Sequence, residues 1–91
     1  MIVTRPNDDV TTNYLYYWTE DVIRIAQNRS IMVIDLSGNK ANRREFESRV
    51  KKLKPLIAFL NGHGNDNEIY GQKSEVLLDL ENAALVKGMI I

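Results

Sequence analysis

His63 is the only histidine in the 91-residue chain, and it stands between two glycines, Gly62 and Gly64. An imidazole is the side chain best suited to moving protons near neutral pH. The glycines strip bulk from both sides of it and open backbone conformations closed to other residues. Directly before it runs Leu56-Ile57-Ala58-Phe59-Leu60, entered through Pro55 and halted at Asn61. Five apolar residues in a row predict a strand buried on both faces. A buried parallel strand that delivers a polar residue at its carboxyl end is where open α/β sheets put their chemistry. The plainer reading is a turn histidine whose ring bonds a backbone carbonyl. A metal site is poorly supported, because His63, Asp66 and Glu68 form a thin, oxygen-rich set with no second histidine. No metal and no cofactor is expected.

The segments around this strand must position it. Met1 to Arg5 is short and β-prone, cut by Pro6, and is followed by a turn in Asn7-Asp8-Asp9. From about Thr11 the spacing becomes helical, with Leu15, Trp18, Val22 and Ile25 on one face and Thr11 or Thr12 as the cap. Tyr14, Tyr16, Tyr17 and Trp18 are expected to pack this helix on a sheet or to lie at its rim, since their acidic neighbours do not suit a nucleic-acid stacking platform. Ile31-Met32-Val33-Ile34 predicts a second buried strand, ended by Asp35-Leu36-Ser37-Gly38. Asn42 and Glu45 have capping-box spacing for a second helix, with Phe46, Val50 and Leu53 facing a core. Its outer side is basic through Arg43, Arg44, Arg49, Lys51, Lys52 and Lys54. The cations cluster toward the helix C-terminus, where the dipole favours them, so a solvated face is expected rather than a nucleic-acid surface.

After His63, the segments Glu68–Gly71 and Glu75–Leu78 flank Gln72-Lys73-Ser74 as a small hairpin. Asn82 to Lys87 predicts a short helix stopped by Gly88. Met89-Ile90-Ile91 opens a further buried strand at an uncovered edge. The fold class is therefore α/β: a three-layer sandwich on a mostly parallel four-stranded sheet, order 2-1-3-4, with a β-hairpin inserted before the last strand. Residues 1–91 form a single domain. The abrupt apolar finish reads as the front of a longer domain.

Composition bounds the function. The chain is 44% hydrophobic and 26% charged, with a formal net charge of zero. That balance is ordinary for a globular protein and unsuited to nucleic-acid binding, where electrostatics supplies the affinity. No apolar run approaches membrane-spanning length, and no signal peptide is evident, so a cytoplasmic location is expected. There are no cysteines, which excludes disulfides, thiolate metal sites and a cysteine nucleophile within these residues.

Leu60-Asn61-Gly62-His63-Gly64, Ile69-Tyr70-Gly71, Val76-Leu77-Leu78 and Leu85-Val86-Lys87-Gly88-Met89-Ile90-Ile91 together resemble the caspase-like (clan CD) cysteine peptidases. The wording around His63 and the strand entry at Gly88 is most similar to the CHAT and gingipain-like members. Thr4-Arg5-Pro6-Asn7-Asp8-Asp9 and Trp18 also fit. The resemblance implies a thiol protease, a hydrolase of peptide or protein substrates in which His63 is general acid and base. It further implies that the Gly64 N–H donates to the oxyanion, and that Asp8 and Asp9 bind substrate and favour Lys or Arg at the cleaved position. The nucleophilic cysteine would follow a few residues beyond Ile91, so the 91 residues by themselves are expected to be inactive.

Two rivals stand beside this reading. One is a non-catalytic α/β interaction module, a pseudo-peptidase that pairs or self-associates through its C-terminal edge strand. The other, a phosphate binder, would need a glycine-rich loop after the first strand, which Arg5-Pro6-Asn7-Asp8-Asp9 lacks.

Overall fold

Ile2–Arg5 forms the central strand, β1, in which all four residues are buried. In the computed structural model, which describes all residues from 1 to 91, β1 is flanked on both sides by parallel partners. Helix α1 (Val10–Asn28) leads to β2 (Ile34–Ser37), and helix α2 (Arg43–Leu53) leads to β3 (Ala58–Leu60). The sheet order is β2-β1-β3, with Ile2 opposite both Ile34 and Ala58. An antiparallel pair, β4 (Ile69–Tyr70) and β5 (Val76–Leu78), follows as the expected hairpin, and a 3-10 turn spans Ala83–Val86.

Side chains alternate across a strand, so each face of the sheet draws on a different set of β1 residues. Ile2, with Ile34, Leu36 and Ala58, packs on Phe46 and Val50 of α2 and on Leu77 and Leu78 of β5 as one core cluster. Arg5 sits on the other face, where its guanidinium reaches the Tyr16 carbonyl of α1 at 3.1 Å. Loop-closing contacts then fix the hairpin. Gln72 donates its backbone N–H to the Ala41 carbonyl at 2.7 Å and its side-chain amide to Asn7 Oδ1 at 3.1 Å.

Several expectations need correcting. The structure shows three parallel strands in the sheet. The terminal segment makes a single parallel bridge, Ile57 to Ile90, through Ala58 N–H to the Ile90 carbonyl (2.8 Å) and Ile90 N–H to the Leu56 carbonyl (2.9 Å). The short helix expected over Asn82–Lys87 is a 3-10 turn at Ala83–Val86, and Gly88 follows it at φ +83°.

The second strand begins three residues later than its apolar run. α1 extends to Asn28 and Ser30 turns at φ 61°, so residues 31–33 are spent reaching the sheet, where pairing starts with Ile34 N–H on the Met1 carbonyl. In α1 the inward face carries Thr12, Thr19, Ile23 and Ala26, while Trp18 and Ile25 are 67% and 56% exposed. Small residues on that face let the helix lie close to β1, and the Thr19 hydroxyl satisfies itself on the Leu15 carbonyl at 2.7 Å. Of the aromatic group only Tyr16 packs inward, its ring 4.3 Å from the Arg5 guanidinium, which is cation–π distance. Leu53, at the end of α2, is exposed, leaving Phe46 and Val50 as that helix's buried anchors. No helix is long and apolar enough to cross a membrane.

Candidate functional site

Two loops leave the carboxyl ends of adjacent strands and meet. The loop after β1 carries Asp9, and the loop after β3 carries His63. Their side chains form a hydrogen bond of 2.7 Å between His63 Nε2 and Asp9 Oδ2. Each side chain is 47% exposed, so the pair is reachable from solvent.

Asp9 is the N-cap of α1. Its Oδ1 accepts the Thr12 backbone N–H at 2.8 Å, and the Thr12 hydroxyl answers the Asp9 backbone N–H at 3.1 Å, a reciprocal box. The structure thus caps the helix with Asp9 rather than with Thr11 or Thr12, the positions that the sequence suggests. The carboxylate wins the position because it is a stronger acceptor at the positive end of the helix dipole. Its carboxyl is drawn down from an ordinary 3.8 to about 2, first by the Thr12 backbone N–H, then by the Thr12 hydroxyl and then by His63.

A carboxylate so held stays ionised and can only accept. His63 must therefore donate its Nε2–H to Asp9. In the neutral ring that places the proton on Nε2 and the lone pair on Nδ1, which has no hydrogen-bond partner. What results is an oriented base.

Backbone contacts fix the ring's base. The His63 carbonyl accepts the Tyr70 N–H of β4 at 2.9 Å. Gly62 adopts φ +137°, and a side chain there would stand 2.7 Å from the Tyr70 carbonyl, so only glycine fits on both counts. At Gly64 an added Cβ would lie 2.9 Å from the Glu68 carbonyl. The Gly64 N–H donates to no backbone or side-chain acceptor within the chain. Asn61 closes the loop onto β1 with its backbone N–H and its side-chain amide both on the Thr4 carbonyl, at 3.0 and 3.1 Å.

Of the residues singled out from the sequence, His63, Gly64, Asp8 and Asp9 all lie at this end of the sheet. Only Asp9 touches His63. Asp8 Oδ2 accepts the Lys73 backbone N–H at 2.6 Å, so it ties the hairpin tip to the loop before α1. Asn7, Asp8, Asp9, Val10 and Asn13 line an open hollow of about 420 Å³ beside the pair. The contact that sequence reasoning missed is Asp9–His63. Its signal was Asp9-Val10-Thr11-Thr12, a cap spacing that fixes where the carboxylate sits.

The Asp9 carboxyl titrates lower in the folded chain than in the unfolded one. The stability it contributes is therefore fully present above its ordinary value of 3.8 and is lost as pH falls through about 2. Acid unfolding followed by circular dichroism should show wild type losing stability across that window more steeply than Asp9→Asn, which cannot titrate there. Parallel curves for the two proteins would show that Asp9 gains nothing from these partners.

Comparison with protein-family models, with curated proteins and with solved structures returns no significant match in any of the three.

Proposed function

We propose that the chain is the front portion of a caspase-like cysteine endopeptidase and carries its general acid/base, His63. The observation that supports this best is the 2.7 Å bond from His63 Nε2 to Asp9, which turns Nδ1 outward from the pair as a base at the carboxyl end of a parallel sheet. In this reading Nδ1 takes the proton of a cysteine thiol and later returns it to the leaving amine. A thiol at its free pKa is mostly protonated near neutrality, so a neighbouring base is what makes it a nucleophile.

Asp9 then orients the imidazole, and Asp8 is the carboxylate left to attract a Lys or Arg side chain in the adjoining hollow. The unengaged Gly64 N–H is the oxyanion donor, a type of contact worth about 3 kcal/mol in the transition state. The Ile57–Ile90 bridge favours a fourth parallel strand outside β3, in the order 2-1-3-4. Such a strand runs toward the His63 end. A cysteine within about five residues past Ile91 would arrive beside the ring. Thiol chemistry of this kind suits a reducing, intracellular compartment.

The 91 residues alone are expected to leave Lys- and Arg-containing fluorogenic peptides uncleaved, because they hold no cysteine. A polypeptide extended through its natural coding sequence should cleave them, and His63→Ala should abolish that turnover. Turnover by the 91 residues, or a downstream sequence with no cysteine in reach, would overturn the reading.

A second reading rests on Leu56, Ile90 and Ile91, which stand exposed at the outer edge of β3. There the chain is a non-catalytic module that pairs through this edge with a partner or with its own copy. Light scattering across a concentration series tests the self-pairing, which a strict monomer excludes.

A further inference from the structure

At the opposite end of the sheet from His63, α2 and the segment entering Met89 enclose a groove of about 480 Å³. Its floor is apolar, built from Val50, Leu56, Leu85 and Met89, and Lys51, Lys54 and Lys87 stand around it. No carboxylate lines it. Leu56 is 77% exposed, an unusual position for a leucine next to a buried strand.

The three ammonium groups are unspent. Every ion pair in the molecule uses Arg5, Arg24, Arg43, Arg49 or His63 as the cation, and no lysine takes part. Lys51 and Lys54 sit at the C-terminal end of α2, where the helix dipole alone would account for them. The dipole does not account for Lys87, which comes from a different element and closes the same groove. It also gives no reason for an exposed leucine between cations. Like charges gathered around an apolar floor repel one another until an anionic occupant relieves them.

We propose that this groove binds an acidic peptide segment of a partner protein, one large apolar side chain seated on Leu56 and Met89 with carboxylates on either side paired to the lysines. The volume suits one or two large side chains, within the range of small-ligand and peptide sites. A concave site with only three cations favours a peptide over a lipid surface, which rewards a broad flat cluster of basic residues. The groove and the His63 end can be occupied together, since the sheet lies between them.

The test is an NMR titration of the ¹⁵N-labelled chain with the blocked peptide Glu-Asp-Leu-Phe-Asp-Glu. A matched peptide with Gln and Asn in place of the acids, and phosphatidylcholine vesicles containing phosphatidylglycerol, serve as comparisons. The expected result is shifts at Lys54, Leu56, Leu85 and Met89 with submillimolar affinity. The amide peptide should bind at least about tenfold more weakly, as should the double variant Lys54→Glu/Lys87→Glu. Leu56→Ser, at an exposed site where folding is not at risk, should weaken binding about threefold or more. Equal binding of the amide peptide, unchanged binding by the charge-reversed variant, or shifts elsewhere would overturn the proposal. So would uptake by anionic vesicles without peptide shifts, or groove signals that move on dilution and reveal a second copy as occupant.

Discussion

Asp35→Ala is expected to lower the unfolding free energy by about 3 kcal/mol. Arg5 projects from the central strand with its side chain only 9% exposed, and Asp35 on β2 meets it with two bonds, Nε to Oδ1 at 2.9 Å and Nη2 to Oδ2 at 2.7 Å. This paired geometry is the strong form of the interaction. The remaining partners are weaker: the Tyr16 carbonyl at 3.1 Å, Glu20 at 3.5 Å and the Tyr16 ring.

Removing Asp35 leaves a buried guanidinium, whose own pKa the pairing raises, with too few acceptors. A chain of this length has about 5–10 kcal/mol of total stability, so the loss is a large share. Asp35→Asn should cost less, because one oxygen still accepts. The double variant Arg5→Met/Asp35→Leu should recover part of the deficit, since it removes the buried guanidinium along with its partner, although Asp35 itself stands partly open to solvent. Urea denaturation of the three proteins decides it, and a loss below about 1 kcal/mol for Asp35→Ala would mean that the pair is screened like a surface bridge.

Gly71→Ala is expected to cost about 3 kcal/mol or more and to loosen the hairpin from the sheet. Gly71 has φ −100°, so no left-handed backbone calls for glycine there. Space is the issue. A Cβ there would overlap the Ala41 carbonyl oxygen and crowd Leu77 Cδ1 at 3.3 Å. Neither can retreat, because Ala41 and Leu77 are fully buried and the Ala41 carbonyl holds the Gln72 N–H at 2.7 Å. The damage should travel to the site, since β4 supplies the Tyr70 N–H that holds His63. Hydrogen exchange at the Tyr70 amide should therefore accelerate well beyond that at Val3 in β1. Uniform acceleration would mean global destabilisation only.

The apolar runs of the sequence led to the right alternation of strands and helices but overstated their burial: in β3 only Ala58 is buried, Phe59 is 37% exposed, and Ile31 and Met32 lie exposed ahead of β2. Met1–Arg5 contains β1, and Leu56–Leu60 contains β3. The hairpin was legible from two β-prone segments around Gln72-Lys73-Ser74. Asn42 as the cap of α2 was legible from its spacing to Glu45, although Glu45 turns to Arg49 at 3.5 Å rather than reaching back.

What failed did so for physical reasons. Trp18 and Ile25 satisfied helical spacing, yet the face against β1 needed small side chains, and Thr12, Thr19 and Ala26 took it. Asp35 read as a strand terminator, but it is paired inside β2, because a buried arginine on the neighbouring strand can hold a carboxylate there. Residues 54 apart in sequence make the Asp9–His63 contact. No local pattern announces such a contact; only the parallel pairing of β1 and β3 brings it about.

The proposed role of His63 depends on that contact, and long-range ¹H–¹⁵N correlation of the ring tests it most directly. With the ring neutral, wild type should show the proton on Nε2 and a bare Nδ1, and Asp9→Ala should shift the ring toward a mixture of tautomers. A wild-type ring protonated on Nδ1, or a tautomer balance that ignores the loss of Asp9, would contradict it.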